Sequence, residues 1–226
     1  MGIKVSNLTF SVKEGDSTRT VLDNLSYEFK ENKITTISGP SGSGKTTFLY
    51  SLAGILNIDS GEVEINNTLL YSLPSSERDK FRLENIGLVY QNLNLIPFMS
   101  VEDNILLPLF LQKKNIGSDI LKKMKYYLEL LDLPNIETKS INNLSGGEKQ
   151  RVAIIRSVIA FPKIILCDEP TASLDSSNTI KFMEAVSKIN RTQNITIVIV
   201  THDKKVFDYG DEKLEIIDGK FFNLKK

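Results

Sequence analysis

Ile34-Thr35-Thr36-Ile37-Ser38-Gly39-Pro40-Ser41-Gly42-Ser43-Gly44-Lys45-Thr46 is the stretch on which the fold turns. Its first part, Ile34 to Ser38, is dense in β-branched residues, the composition of a strand covered on both faces. Its second part, Gly39 to Thr46, fits G-x-x-x-x-G-K-[ST] and runs into a helical stretch. In that setting the glycines let the backbone wrap until successive N–H groups converge on phosphate oxygens, and the helix adds its positive end. Lys45 supplies a full charge at the β and γ phosphates, and Thr46 a hydroxyl for Mg²⁺. Gly39, Pro40, Ser41, Gly42, Ser43, Gly44, Lys45 and Thr46, with the adjoining Thr47, are therefore the candidate nucleotide-binding residues. Many unrelated activities share such a loop, so it names a phosphate ligand and not a function.

Working outward, Ile164 to Cys167 and Ile195 to Val200 have the same doubly apolar character, and the three runs are expected to form the centre of a parallel sheet. Ile3 to Phe29 reads as strands around a turn-rich stretch, Glu14 to Thr20, and Glu62 to Ile65 and Ile86 to Tyr90 read as further strands. Between Ser118 and Leu131, Ile120, Leu121, Met124, Tyr127, Leu128 and Leu131 recur at helical spacing, which predicts an amphipathic helix. The alternation of strand and helix patterns predicts an α/β fold. With no repeat or Pro/Gly/Ser linker, the 226 residues are read as one domain. Residues of about 1–91 and 161–226 form the core with its N-terminal β subdomain, and Asn92 to Ala160 form a helical insertion.

Composition narrows the classes of function. Lysine plus arginine and aspartate plus glutamate stand at 28 each, which removes the basic field of a nucleic-acid binder. No apolar run reaches the length of a membrane-spanning helix and the N-terminus has no signal-peptide core, so a cytoplasmic chain is expected. One cysteine, Cys167, and one histidine, His202, make a zinc enzyme improbable. Cys167, within an apolar strand, is read as a small buried hydrophobe. The pairs Lys113-Lys114, Lys122-Lys123 and Lys225-Lys226 are read as solvated surface.

Leu144-Ser145-Gly146-Gly147-Glu148-Lys149-Gln150-Arg151 marks a second helix N-terminus, with Ser145 as cap and Val152, Ile155 and Ile159 on one face of the helix. This segment resembles the signature motif of the ABC ATPases, the nucleotide-binding subunits of ABC transporters. Ile164 to Pro170, a strand ending in Asp168 and Glu169, is similar to their Walker B motif. Ser173-Leu174-Asp175 resembles the D-loop, Thr201-His202-Asp203 the switch segment, and Gln91 the Q-loop. The resemblance covers essentially the whole chain, in family order. It implies a P-loop core with an antiparallel β subdomain and a helical subdomain, with ATP and Mg²⁺ as ligands. A carboxylate buried at a strand end needs a cation or donors, so Asp168 would hold Mg²⁺ through water, beside Thr46 and Gln91. Glu169 would be the general base, with His202 contacting the γ-phosphate and Gln91 reaching the metal and the attacking water. Ser145, Gly146 and Gly147 of one subunit would close over the nucleotide held by another, with Asp175 coupling the two sites. The resemblance thus implies an ATP-dependent homodimer that drives an integral membrane permease from the inner face of the membrane, with no nucleic-acid partner.

One position departs from the family. An aromatic residue usually stacks on adenine, and the corresponding place falls near Val12. Phe10, on the same strand face, is either core or a partial substitute, so discrimination between ATP and GTP is expected to be weak. Around Gln91 the chain is most similar to the lipoprotein-release, macrolide-export and FtsE-like branch. Leu95, Ile96, Phe98 and Met99 either line a groove for a helix of the permease or pack the insertion. A soluble ABC ATPase of cofactor assembly or DNA maintenance is the competing reading, though no coiled-coil insertion separates Lys45 from Leu144.

Overall fold

The structure, a computed structural model, describes residues 2–222, so Lys225-Lys226 lies outside the described residues. Two long strands, β1 (Ile3–Glu14) and β2 (Ser17–Phe29), form a hairpin whose turn is only Gly15-Asp16. The stretch expected to be turn from Glu14 to Thr20 is thus mostly strand. Gly15, at φ 62°, supplies the positive φ that such a two-residue hairpin turn needs at its first position. Register shifts along the hairpin mark bulges. One falls where Phe10 faces Leu22 but Ser11 faces Thr20, which leaves Val21 as the extra residue of β2.

β4 (Ser60–Ile65) and β5 (Thr68–Leu69) complete a four-stranded antiparallel sheet in the order β2-β1-β4-β5. The second sheet runs β10-β9-β3-β8-β7-β6. It comprises β3 (Ile34–Ser38), β6 (Ile86–Val89), β7 (Ile164–Asp168), β8 (Thr196–Val200), β9 (Glu212–Ile217) and β10 (Lys220–Phe222). All its pairings are parallel except β9 with β10. Around it lie α1 (Lys45–Leu52), α2 (Ser75–Asn85), α3 (Val101–Leu111), α4 (Ser118–Leu130), α5 (Gly146–Val158), α6 (Ser176–Gln193) and α7 (Lys204–Asp208). The amphipathic helix expected from Ser118 is α4, which buries Met124, Tyr127 and Leu128.

Alternation along the central strands explains why they are apolar throughout. Ile164 and Leu166 of β7 enter the cluster that contains Phe48 and Leu49 of α1, whereas Ile165 and Cys167 enter the one shared with α3 to α6. Cys167 is fully buried, as its strand position suggested, and burial pushes its thiol pKa up. The first cluster carries an aromatic chain: Phe48 stacks at 6.3 Å from Phe29 and meets Phe221 edge-on at 5.2 Å. This packing fixes α1, and with it the loop that precedes α1.

Between β6 and β7 the chain forms α3, α4 and α5. Ser100 opens α3 through a capping box: its hydroxyl accepts from the Asp103 N–H at 3.0 Å, and the Asp103 carboxylate answers. The buried Asn104 side chain bonds both the N–H and the carbonyl of Ile96, at 2.7 and 3.0 Å, tying the loop before α3 to the helix.

Candidate nucleotide site

Four parallel strands deliver the candidate residues to one edge of the sheet, the carboxyl edge where open α/β sheets bind ligands. β3 leads into the glycine loop, β7 ends in Asp168, β8 leads to Thr201 and His202, and β6 leads to Gln91. The loop from Gly39 to Gly44 is packed too closely for side chains at two places. A Cβ on Gly39 would lie 2.1 Å from the Ile216 carbonyl oxygen. Gly44, at φ 100°, would meet Leu22 and the Val21 carbonyl oxygen at 2.9 Å. Lys45 folds back so that its ammonium donates to the carbonyls of Gly39 and Pro40 at 2.8 and 2.9 Å. The Ser43 hydroxyl is buried without a hydrogen-bond partner and faces Gly39, where a Cβ would stand 2.8 Å from it.

Strand alternation places Asp168 on the α1 side of β7, and it is 2 % exposed. Thr46 donates to its Oδ1 at 2.9 Å, and Tyr50 is a second donor. Thr46 and Tyr50 are four residues apart and so share a face of α1. Burial raises the pKa of Asp168, against the pull of those two hydrogen bonds. A buried carboxylate beside a hydroxyl is an all-oxygen donor set, which suits Mg²⁺.

Glu169 would point away from Asp168 if the strand continued. Its φ of 44° breaks the alternation, a left-handed conformation that costs an ordinary residue roughly 1 kcal/mol or more. The turn brings its carboxylate to a cavity beside the glycine loop, where Oε2 meets His202 Nδ1 at 2.8 Å and the His202 N–H at 3.2 Å. The cavity, about 570 Å³, is lined by Ser41, Gly42, Gly44, Lys45, Thr46, Thr47, Gln91, Glu169 and His202. Arg19 and Val21 of β2 complete its wall.

Gly39, Pro40, Ser43 and Asp168 are not in its lining, and neither are Ser145, Gly146, Gly147 and Asp175. Ser145 caps α5 in a second capping box with Glu148, whose carboxylate accepts from the Ser145 N–H and hydroxyl at 2.7 Å. These bonds hold the Glu148 pKa below the usual range. Ser145 and Gly146 are exposed, while Gly147 is buried where a Cβ would stand 3.0 Å from the Asn178 side-chain oxygen. Asp175 caps α6, accepting from the Asn178 N–H at 2.8 Å.

At the adenine position, Phe10 packs against the core cluster, and neither it nor Val12 lines the cavity. Arg19 and Tyr50 escaped the reading of the sequence. Tyr50 was detectable as Thr46 plus four; Arg19 matched no pattern. Leu95, Ile96, Phe98 and Met99 do not line an apolar concavity. A concavity of about 470 Å³ is lined by Leu83, Leu88, Leu107, Pro108, Leu111 and Ala160 among others, but by none of Leu95, Ile96, Phe98 and Met99. Leu95 packs inward and Phe98, 90 % exposed, projects from the loop, because Asn104 turns that loop across the start of α3.

Fold and site together define a P-loop protein that binds a nucleoside triphosphate, with an ABC ATPase core and N-terminal antiparallel strands. The ABC transporter family matches residues 22–172, and the chain belongs to that family. It is 37% identical over 222 residues to the uncharacterized ABC transporter ATP-binding protein MJ0796 of Methanocaldococcus jannaschii, covering 96% of this chain and 94% of that one. To the lipoprotein-releasing system ATP-binding protein LolD of Buchnera aphidicola it is 36% identical, covering 99% and 97%. A solved structure described as a dimeric post-hydrolysis state of the ATP-binding cassette MJ0796, bound to ADP and Pi, superposes with a TM-score of 0.88 at 34% identity. That match covers 99% of both chains. ATP binding with Mg²⁺, and ATPase activity in general, follow from membership.

Proposed function

We propose that this chain is the ATP-hydrolysing subunit of an ABC transporter and acts as a head-to-tail homodimer on a separate membrane permease. The observation that carries the reading is a divided site. The loop, Thr46, Gln91, Glu169 and His202 face one cavity, while Ser145 and Gly146 stand exposed at the start of α5, outside it. A helix start with two glycines can close over the phosphates of a second copy, and a two-fold axis then makes two identical composite sites. The description of the MJ0796 structure as a dimer supports this arrangement.

In each composite site the loop amides and Lys45 hold the β and γ phosphates. Thr46 and Asp168 would hold Mg²⁺, with Gln91 near it; the bound ion supplies charge that offsets the phosphates. Glu169 orients the attacking water and accepts its proton, and His202, released from Glu169, donates to the γ-phosphate. Asp175 couples the two sites. ATP favours the closed dimer because it touches both copies, and hydrolysis removes that bridge. Residues 92–160 form the inserted helical unit that relays closure.

The groove lined by Leu88, Leu107, Pro108 and Leu111 is the proposed seat of a permease helix. The similarity to LolD supports a role in export, lipoprotein extraction or force transmission, with the chain held at the inner face of the membrane. Glu169→Gln tests the reading. With ATP it should accumulate as a dimer in light scattering, and Lys45→Ala should stay monomeric. A Glu169→Gln chain that remains monomeric with saturating ATP would overturn the divided site. Co-purification of a permease from solubilised membranes tests the transport role.

A further inference from the structure

We infer that Arg19 is the platform on which the purine base rests, in place of the aromatic ring that β1 lacks. The inference rests on the cavity being the ATP site. A nucleoside triphosphate offers that cavity two unlike ends, a charged chain for the glycine loop and a flat π surface at the base. β2 lies directly against the loop, since the Val21 carbonyl oxygen is 2.9 Å from where a Cβ on Gly44 would be. Arg19 comes two residues earlier on the same strand, about 7 Å further from the loop. Both residues line the cavity, and no phenylalanine or tyrosine does.

The hairpin accounts for this placement. The bulge at Val21 and the two-residue turn at Gly15-Asp16 bring Arg19 opposite Val12. Directly paired residues lie on one sheet face, so the guanidinium stands beside the position where an aromatic ring would otherwise serve. A guanidinium is planar, always charged and weakly hydrated, and it stacks on aromatic faces as a lysine ammonium does not. Glu14 Oε1 lies 3.6 Å from Arg19 Nη1, both side chains being more than half exposed. Such a pair is weak, so it steers the guanidinium across the turn without holding it away from a base.

Stacking does not read the hydrogen-bonding edge of a purine. Arg19→Ala should therefore weaken ATP and GTP alike, by about three- to thirty-fold in Kd. Inorganic tripolyphosphate, which has no base, should bind the variant as it binds the parent chain. Arg19→Lys, which keeps the charge and loses the plane, should behave as Arg19→Ala. Isothermal titration of the full chain with ATP, GTP and tripolyphosphate measures all of these. Unchanged nucleotide affinity in Arg19→Ala would overturn the inference. So would an equal loss for tripolyphosphate, or parental nucleotide affinity in Arg19→Lys, since either makes Arg19 a phosphate or point-charge contact. Lys45→Ala separates the two levels. If the parent chain binds ATP and Lys45→Ala does not, an unaffected Arg19→Ala refutes the base platform alone. If neither the parent nor Lys45→Ala binds ATP, the reading of the cavity itself fails, and the platform with it.

Discussion

The chain has two phosphate-type helix starts, and they differ in how finished they are. The one at α1 is enclosed. Lys45 is buried and already satisfied by the carbonyls of Gly39 and Pro40, and Phe48 locks the helix to β2 and β10. The one at α5 is open, with Ser145 occupied only by its own Glu148. The first can hold an anion unaided because its cradle is made of backbone that the core cannot release. The second leaves its donors exposed, and in the proposed dimer a second copy of the chain brings the matching phosphates.

The largest effect expected from breaking this contrast is at Glu169. Glu169→Gln should reduce turnover by roughly 10²–10⁴-fold while leaving ATP binding intact, as measured by steady-state phosphate release. Next comes complementation. Lys45→Ala disables the enclosed end and Ser145→Arg the open end, so each alone should be inactive. Mixed, they form heterodimers with one intact composite site, and activity should reappear; a site complete within one chain would show no recovery. The two ends should also differ in stability. Phe48→Ala should cost about 3–5 kcal/mol by denaturant unfolding. Ser145→Ala, which loses a helix cap, should cost about 1 kcal/mol.

The smallest effect concerns pH. Burial raises the Asp168 pKa, so in the window between its ordinary and raised values the folded chain binds more protons than the unfolded chain. Stability therefore falls as pH rises through that window. Without nucleotide or metal, Asp168→Asn should raise Tm near neutral pH by roughly a few degrees and flatten its dependence on pH. A lower Tm would mean that the charged form is stabilised where it sits.

Much of this was legible in the sequence because the central strands are apolar on both faces and each ends in residues of unusual chemistry. The strand, loop and helix at Ile34 to Thr46, and Asp168 after Ile164, lie where their patterns place them. What escaped depended on backbone detail. A two-residue turn set by Gly15 converted an expected loop into strand, and only the resulting register brings Arg19 to the cavity. The left-handed turn at Glu169 cannot be inferred from its residue type, since glutamate seldom adopts it. Which of the two readings of Leu95 to Met99 holds was not legible either: Asn104, a polar residue buried in a helix, ties the preceding loop to α3 through contacts that hydrophobicity does not encode.

The far end of α5 gives that helix a mechanical meaning. Arg156, eleven residues on from Ser145, is buried and donates to the backbone carbonyls of Leu93 and, at 2.7 Å, Asn94. Eleven residues of helix span about 16 Å. α5 thus joins its exposed start at Ser145 to the segment that follows Gln91, and Arg156 and Asn94 both line the apolar groove. In the proposed dimer, a displacement imposed at Ser145 would be carried along that one rigid element to the segment beside the groove.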